Sequence, residues 1–234
     1  MKQSSELPIP LETGAISALV YPAESPVASL ILAHGAGAGQ RSPFMVACAT
    51  GLAARGLDVI TFDFAYMAAK RKIPDRAPLL ETTYQTVIET VRGELESARR
   101  FLFIGGKSMG GRIATQVAAA SRELPITGLV LLGYPLHPPG RPDTLRAAHL
   151  PAVARPMLFV QGSRDSFGTP HELAPILTMI VPDPSIHVVE GGDHSLVIAP
   201  RGPNKQAAAN DVVYNVIARW IKSVIARSRA ADAP

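Results

Sequence analysis

The sequence predicts an α/β domain built on a mostly parallel, doubly wound sheet with helices on both faces. Three observations carry this expectation. Short apolar runs alternate with amphipathic helical patterns along most of the chain. Two of the runs, ITGLVLLGY (126–134) and PMLFVQG (156–162), are apolar on both faces, as strands covered by helices on each side must be. The length of 234 residues suits one such domain, spanning 1–234, better than two.

Each element follows in order. AISALVY (15–21) and VASLILAH (27–34) read as strands joined by a proline-containing turn. Ser42 and Pro43 offer an N-cap and a first-turn proline to a helix that ends near Gly56. LDVITFDF (57–64) is the next strand, and a helix over 82–98 follows with Tyr84, Val87, Ile88, Val91 and Leu95 on one face. RFLFIGG (100–106) is a strand that runs straight into a helix over 109–121. After the two apolar strands, SIHVVEG (185–191) is the last strand. In the final helix Val212, Val213, Val216, Ile217, Trp220, Ile221, Val224 and Ile225 repeat at helical spacing. In such a sheet, chemistry gathers on the loops beyond the C-terminal ends of the strands.

Composition limits the classes of function. Apolar residues make up 47% of the chain, ample for a large core. The formal net charge is +4, but the Lys and Arg residues are scattered, with no run that marks a nucleic-acid footprint. Cys48 is the only cysteine, so no internal disulfide can form, and its helical setting makes it a small apolar packing residue. The N-terminal MKQSSELPIPLETG lacks the apolar centre of a signal peptide, and no segment reaches the length of a membrane span. These features lead to the expectation of a soluble cytoplasmic protein with no nucleic-acid or membrane partner. They leave its oligomeric state open.

The segment FIGGKSMGGRIA (103–114) carries two overlapping signatures. Gly106-Lys107-Ser108 ends like a phosphate-binding loop, whereas Gly106-Lys107-Ser108-Met109-Gly110 is a Gly-x-Ser-x-Gly nucleophile elbow. A phosphate-binding loop needs a glycine five residues before Gly106, and Phe101 stands there, inside the strand. The elbow fits: it follows a strand, opens a helix and has glycines where side chains would clash with a sharp turn. A plain glycine-rich turn is the bland alternative. Gly35 and Gly37 likewise match the start of a dinucleotide-binding turn, but Gln40 stands where its third glycine belongs.

A serine nucleophile needs a base and an orienting acid, in the chain order Ser, Asp or Glu, His. Asp165, in QGSRDSFGTP, follows the strand 156–162, and His194, in GGDHSL, follows the last strand. Asp193 is the rival acid, but neighbours in sequence usually point apart. Glu190 belongs to the last strand, and His137, His149, His171 and His187 lack the position of His194. For an oxyanion hole, the backbone N–H of Met109 and that of Ala36 in HGAGAGQRSP (34–43) are the candidate donors, with Gly37 as alternative to Ala36. His34 is expected to tie that loop down.

HGAGAG, GGKSMGGR, GYPLHPPG, GSRDSFG and GGDHSL together resemble the α/β-hydrolases, in the dienelactone-hydrolase-like group. Among these the chain is most similar to the hydrolase-like domain of the NSL-complex subunit-three family. The resemblance implies the α/β-hydrolase fold, with Ser108, Asp165 and His194 as catalytic triad. Dienelactone hydrolases proper use cysteine where this chain has Ser108, so the expected substrate is a small-molecule carboxylic ester or thioester. No metal or cofactor is called for. Loop 134–155 is too short for a large lid domain, and Lys70, Arg71 and Lys72 in loop 64–80 could face an acidic substrate or only water. Lys107 could attract an anion or point away beneath the elbow. The competing class is a non-catalytic hydrolase-fold module that binds a partner.

Overall fold

Side chains alternate between the faces of a strand, so a run that is apolar at every position needs cover on both sides. The computed structural model describes residues 3–12, 14–198 and 202–231. Its strands are β1 (Ser5–Leu11), β2 (Gly14–Tyr21), β3 (Ala28–Ala33), β4 (Leu57–Phe62), β5 (Leu102–Lys107), β6 (Gly128–Leu132), β7 (Met157–Gly162) and β8 (Ser185–Val189). They form one sheet in the order β1-β2-β4-β3-β5-β6-β7-β8. From β4 to β8 every pairing is parallel, while β1–β2 and β2–β4 are antiparallel. Every residue of β3 to β7 is buried.

The helices are α1 (Pro43–Ala53), α2 (Ala65–Ala68), α3 (Ala77–Glu94), α4 (Glu96–Arg100), α5 (Met109–Ala120), α6 (Pro170–Leu177) and α7 (Pro203–Ala231). They cover the sheet in two layers. On one face Ile31, Ile60, Ile104, Leu131 and Phe159 meet Tyr84, Val87 and Val91 of α3 and Ile113 and Val117 of α5. On the other face Leu30, Leu32, Val59, Phe103 and Val130 meet Met45, Cys48 and Leu52 of α1 and Ile217, Ile221 and Val224 of α7. Burial pushes the Cys48 thiol up to about 12, which leaves it a packing group. Val212 shares the periodicity of α7 but is exposed.

Five details depart from the sequence expectation. The edge strand β1 lies in SELPIPL, where two prolines argue against a strand. Pro8 and Pro10 share one edge of it, so their missing N–H groups cost no ladder bond and blunt the rim against further pairing. The helix expected over 82–98 starts earlier, at Ala77 behind a first-turn proline, and stops at Glu94. Leu95 there is extended (φ −109°, ψ 122°) before the separate turn of α4. The last strand ends at Val189, two residues short of the expected 191. Helix α6 had no counterpart in the sequence reading, although Thr169 and Glu172 form a full capping box at its start. Ser42 precedes α1 as expected, but its side chain makes no capping bond.

A single hydroxyl ties α3 to the sheet centre. Tyr84 Oη accepts from Gly105 N–H at 3.0 Å and lies 2.7 Å from the Gly105 carbonyl oxygen, to which it donates. Gly105 has no room for a side chain of its own, because a Cβ there would run into the Val130 carbonyl. Replacing Tyr84 by Phe leaves these buried groups without their partner. Chemical denaturation should show a loss of about 1–3 kcal/mol, and an unchanged midpoint would contradict this account.

Candidate active site

Ser108 sits between β5 and α5 with φ 49° and ψ −115°, a conformation that costs a non-glycine residue about 1–3 kcal/mol. The surroundings enforce it. A Cβ on Gly110 would strike the Ala33 carbonyl, and one on Gly106 would lie 2.9 Å from the Gly110 carbonyl carbon. Ser108 N–H donates to Leu132 O at 3.0 Å, which fixes the bend against β6.

The structure brings Ser108, His194 and Asp165 together. Ser108 Oγ lies 2.8 Å from His194 Nε2, and His194 Nδ1 lies 2.9 Å from both carboxylate oxygens of Asp165. An ionised carboxylate only accepts, so Nδ1 carries the proton and Nε2 accepts from the serine hydroxyl. Asp165 is 1% exposed, yet its charge is well supplied with donors. Phe167 N–H donates to Oδ1 at 2.8 Å and Gln161 Nε2 donates to Oδ2 at 2.8 Å. Gln161 Nε2 also donates to Gly168 O at 2.7 Å, and its Oε1 accepts from Tyr134 N–H at 2.8 Å. Phe167 stacks on the imidazole at 4.0 Å between centroids.

Asp193 is occupied elsewhere. Its Oδ1 accepts from Ser195 N–H at 2.8 Å and Val197 N–H at 3.0 Å, shaping the loop that carries His194. Glu190 lies just past the end of β8 and is exposed, a correction to its expected place in the strand. Of the other histidines, His137 faces Glu172, His149 meets Thr115, His171 is exposed and His187 stands on β8.

Loop 34–43 forms the opposite lip. His34 Nδ1 donates to Gly35 O at 2.7 Å and Nε2 accepts from Phe64 N–H at 3.1 Å. Burial pushes the His34 pKa down, outweighing the pull of the Gly35 carbonyl and Asp63, so the ring is a neutral brace. Tyr66 Oη donates to Ala36 O at 3.0 Å, which orients that peptide. Ala36, Gly37 and Met109 all line the cleft beside Ser108, and none of their N–H groups finds a hydrogen-bond acceptor among the described residues.

Lys107 lines the cleft and reaches toward the histidine loop. Its Nζ donates to the His194 carbonyl oxygen at 2.5 Å, and the residue is 9% exposed. Burial pushes this ammonium down to about 8, although Asp165 and Asp193 pull it back up.

The cleft above Ser108 has a volume of about 590 Å³, a size that suits a small organic ligand. Phe44, Met45, Leu80, Pro135 and Phe167 give it apolar walls, and Asp75, Lys107, Arg112 and Arg146 add charge. Lys70, Arg71 and Lys72 are exposed and do not line it; Arg71 Nη1 instead pairs with Asp75 Oδ1 at 2.6 Å. Loop 134–155 holds only a 3-10 turn at Leu150–Ala152, so no large lid covers the site. Among the described residues no cluster of three or more His, Cys, Asp or Glu could hold a metal ion, and no helix is long and apolar enough to cross a membrane.

A strained serine between a central strand and a helix, with acid and histidine on later loops of one parallel sheet, defines an α/β-hydrolase architecture. Residues 26–222 match the alpha/beta hydrolase domain family, and the chain belongs to that family. Similar solved structures include dienelactone hydrolase from Anabaena variabilis, with 18% identity, a TM-score of 0.73 and coverage of 94% of this chain and 97% of that one. A lidless α/β serine hydrolase from Xanthomonas campestris has 19% identity, a TM-score of 0.73 and coverage of 94% and 96%. Est1E from Butyrivibrio proteoclasticus has 13% identity, a TM-score of 0.74 and coverage of 94% and 99%. At such identities the likeness is one of fold.

Gln161, Phe167, Arg112 and Arg146 escaped the sequence reading. Only Gln161 left a trace there, as the one polar side chain in an otherwise apolar strand. Lys107 supplies a test of the electrostatics. Its folded pKa of about 8 lies below the ordinary 10.5, so between those values the unfolded chain holds a proton that the folded chain has released. Stability therefore rises with pH through that window, by roughly 3 kcal/mol if the shift is fully expressed. Denaturation of wild type and Lys107→Met from pH 7 to pH 11 should show this rise only in the wild type; parallel curves would contradict the assignment.

Proposed function

We propose that the protein is a serine hydrolase that cleaves a carboxylic ester or thioester of a small molecule through an acyl-enzyme. The observation that supports it best is the continuous chain from hydroxyl to imidazole to buried carboxylate, with links of 2.8 and 2.9 Å, at a strained bend that opens on a cleft. In this reading His194 Nε2 takes the proton of Ser108 while Oγ attacks the carbonyl carbon. Asp165 holds the Nδ1–H tautomer and stabilises the imidazolium that forms. The Met109 and Ala36 N–H groups receive the oxyanion, a donor of this kind being worth about 2.7–4 kcal/mol. His194 then protonates the leaving alcohol or thiol. A water, deprotonated by the same imidazole, releases the acid and restores Ser108. Every proton is accounted for by one histidine, so the cycle needs no metal or cofactor.

Structurally similar proteins agree with small-molecule esters without fixing one: a dienelactone hydrolase, and Est1E, which has been solved with ferulic acid bound. A second reading follows the resemblance of the sequence motifs to the NSL-complex subunit-three family, and would make the chain a non-catalytic binding module. The paired hydroxyl and imidazole weigh against it, because a scaffold has no need of a carboxylate buried behind a histidine.

A fluorophosphonate probe should label the wild type and not Ser108→Ala. On p-nitrophenyl esters Ser108→Ala should lower kcat by about 10⁴- to 10⁶-fold and Asp165→Asn by about 10⁴-fold. A folded wild type that neither labels nor hydrolyses any ester would favour the binding module. Hydrolysis that survives Ser108→Ala would end the serine reading.

A further inference from the structure

Arginines held within this fold are normally satisfied. Arg55 donates to Gly51 O, to Asn215 Oδ1 and to Asp211, and Arg155 donates to the carbonyls of Ile126, Ala154, Arg122 and Leu124. Arg112 and Arg146 break this pattern inside the cleft. Both line it, both are only partly exposed, and neither side chain donates a hydrogen bond or forms an ion pair with any described residue. Arg112 Nε is fully enclosed and has no partner at all.

The two charges also oppose one another. After burial, the strongest influence on Arg112 is the like charge of Arg146, with Tyr134 and Glu81 giving weaker opposition. His149 adds no positive charge, since burial and Arg112 push it down to about 4. Asp75, the acid that lines the cleft, pairs with Arg71 through Oδ1, and its buried Oδ2 bonds to neither Arg112 nor Arg146 nor any other described residue. Two guanidiniums thus line one cleft, and neither is ion-paired with a carboxylate of the described residues, an arrangement that costs free energy until a ligand supplies the charge.

Their placement is structured. Arg112 lies on the first turn of α5, with its N–H donating to Ser108 O at 3.1 Å, and both residues line the cleft. Arg146 is pinned at both backbone groups: its N–H donates to Leu136 O at 2.7 Å, and its carbonyl accepts from Tyr134 Oη at 2.8 Å.

We propose that the cleft selects esters or thioesters that carry a carboxylate or phosphate, and that Arg112 and Arg146 together bind that anion beside Ser108. This deepens the hydrolase reading above and rests on it. The anion can belong to the acyl part, as in a half-ester of a dicarboxylic acid, or to the leaving group.

The two sources are separated by matched substrate pairs. The acyl arm compares mono-p-nitrophenyl glutarate with p-nitrophenyl valerate. The leaving-group arm compares butyrate esters of 4-hydroxybenzoate and of its methyl ester. In one arm the anionic member should show a kcat/KM roughly 10- to 100-fold above its neutral partner, the ratio expected for charge-assisted hydrogen bonds. That ratio should fall to near one in Arg112→Gln and in Arg146→Gln, recover in part in Arg146→Lys, and shrink with added salt. Far-UV circular dichroism and melting confirm that the variants are folded.

Ser108-dependent hydrolysis with a ratio at or below one in both arms, or a ratio untouched by either substitution, overturns the anion site and leaves the hydrolase reading standing. Where no ester is turned over, calorimetry of Ser108→Ala with glutarate and with inorganic phosphate decides. Binding of either that is lost when Arg112→Gln is added upholds the site. Absence of binding by both, or binding that Arg112→Gln leaves intact, overturns it.

Discussion

The close approach of bare backbone at the end of β5 is the constraint on which the rest of this site depends. Ser108 can hold a positive φ only because the turn around it is locked from three sides: by the Ala33 carbonyl against Gly110, by Gly106 against the same helix start, and by the bond from Ser108 N–H to Leu132 O. A side chain at either glycine would push α5 away from β3. The hydroxyl would then leave the imidazole, and the lip that carries Ala36 would lose its register with the Met109 N–H. Strain at one residue is thus offset by the packing of three strands, which is why it sits at the centre of the sheet and not at its edge.

Charge is handled by a second set of constraints. Asp165 is buried with its hydrogen-bond donors already in place from Gln161, from Phe167 and from His194. Gln161 ties that carboxylate to the Tyr134 and Gly168 backbones, which makes the acid as rigid as the strand beneath it. Lys107 holds the other loop, gripping the His194 carbonyl while Phe167 stacks on the ring. Base and acid come from different loops, and these contacts make them a single unit.

The legible part of this chain is the part governed by short periods. β3 to β7 and the buried faces of α3 and α7 follow from apolar patterning, and the elbow follows from glycine spacing around a serine. β1 was not legible because prolines forbid a strand everywhere except at an edge, and whether a segment lies at an edge is settled by the whole sheet. The break at Leu95 was hidden for a similar reason: its apolar side chain continues the helical pattern while its backbone does not. At the site, residues whose role depends on chain order could be named, but those that act through distant partners could not. Lys107 bonds to a residue 87 positions away. Arg112 and Arg146 meet only because loop 134–155 folds back over α5.

The uneven satisfaction of polar groups across the molecule is itself informative. At Tyr84, at Gln161 and at Asp58, with its bonds to Ala23 N–H and Ser97 Oγ, buried groups that serve the fold find hydrogen-bond partners. The cleft differs: Ala36, Met109, Arg112 and Arg146 all line it with donors that find no acceptor among the described residues, and Asp75 Oδ2 there is unpartnered too. Folding alone has no reason to gather unsatisfied donors, since each one costs stability that a better-paired sequence would keep. Donors held open on a rigid frame would be matched, on the proposed reading, to a partner that arrives later and brings negative charge, whether resident on a ligand or developing on a reacting oxygen.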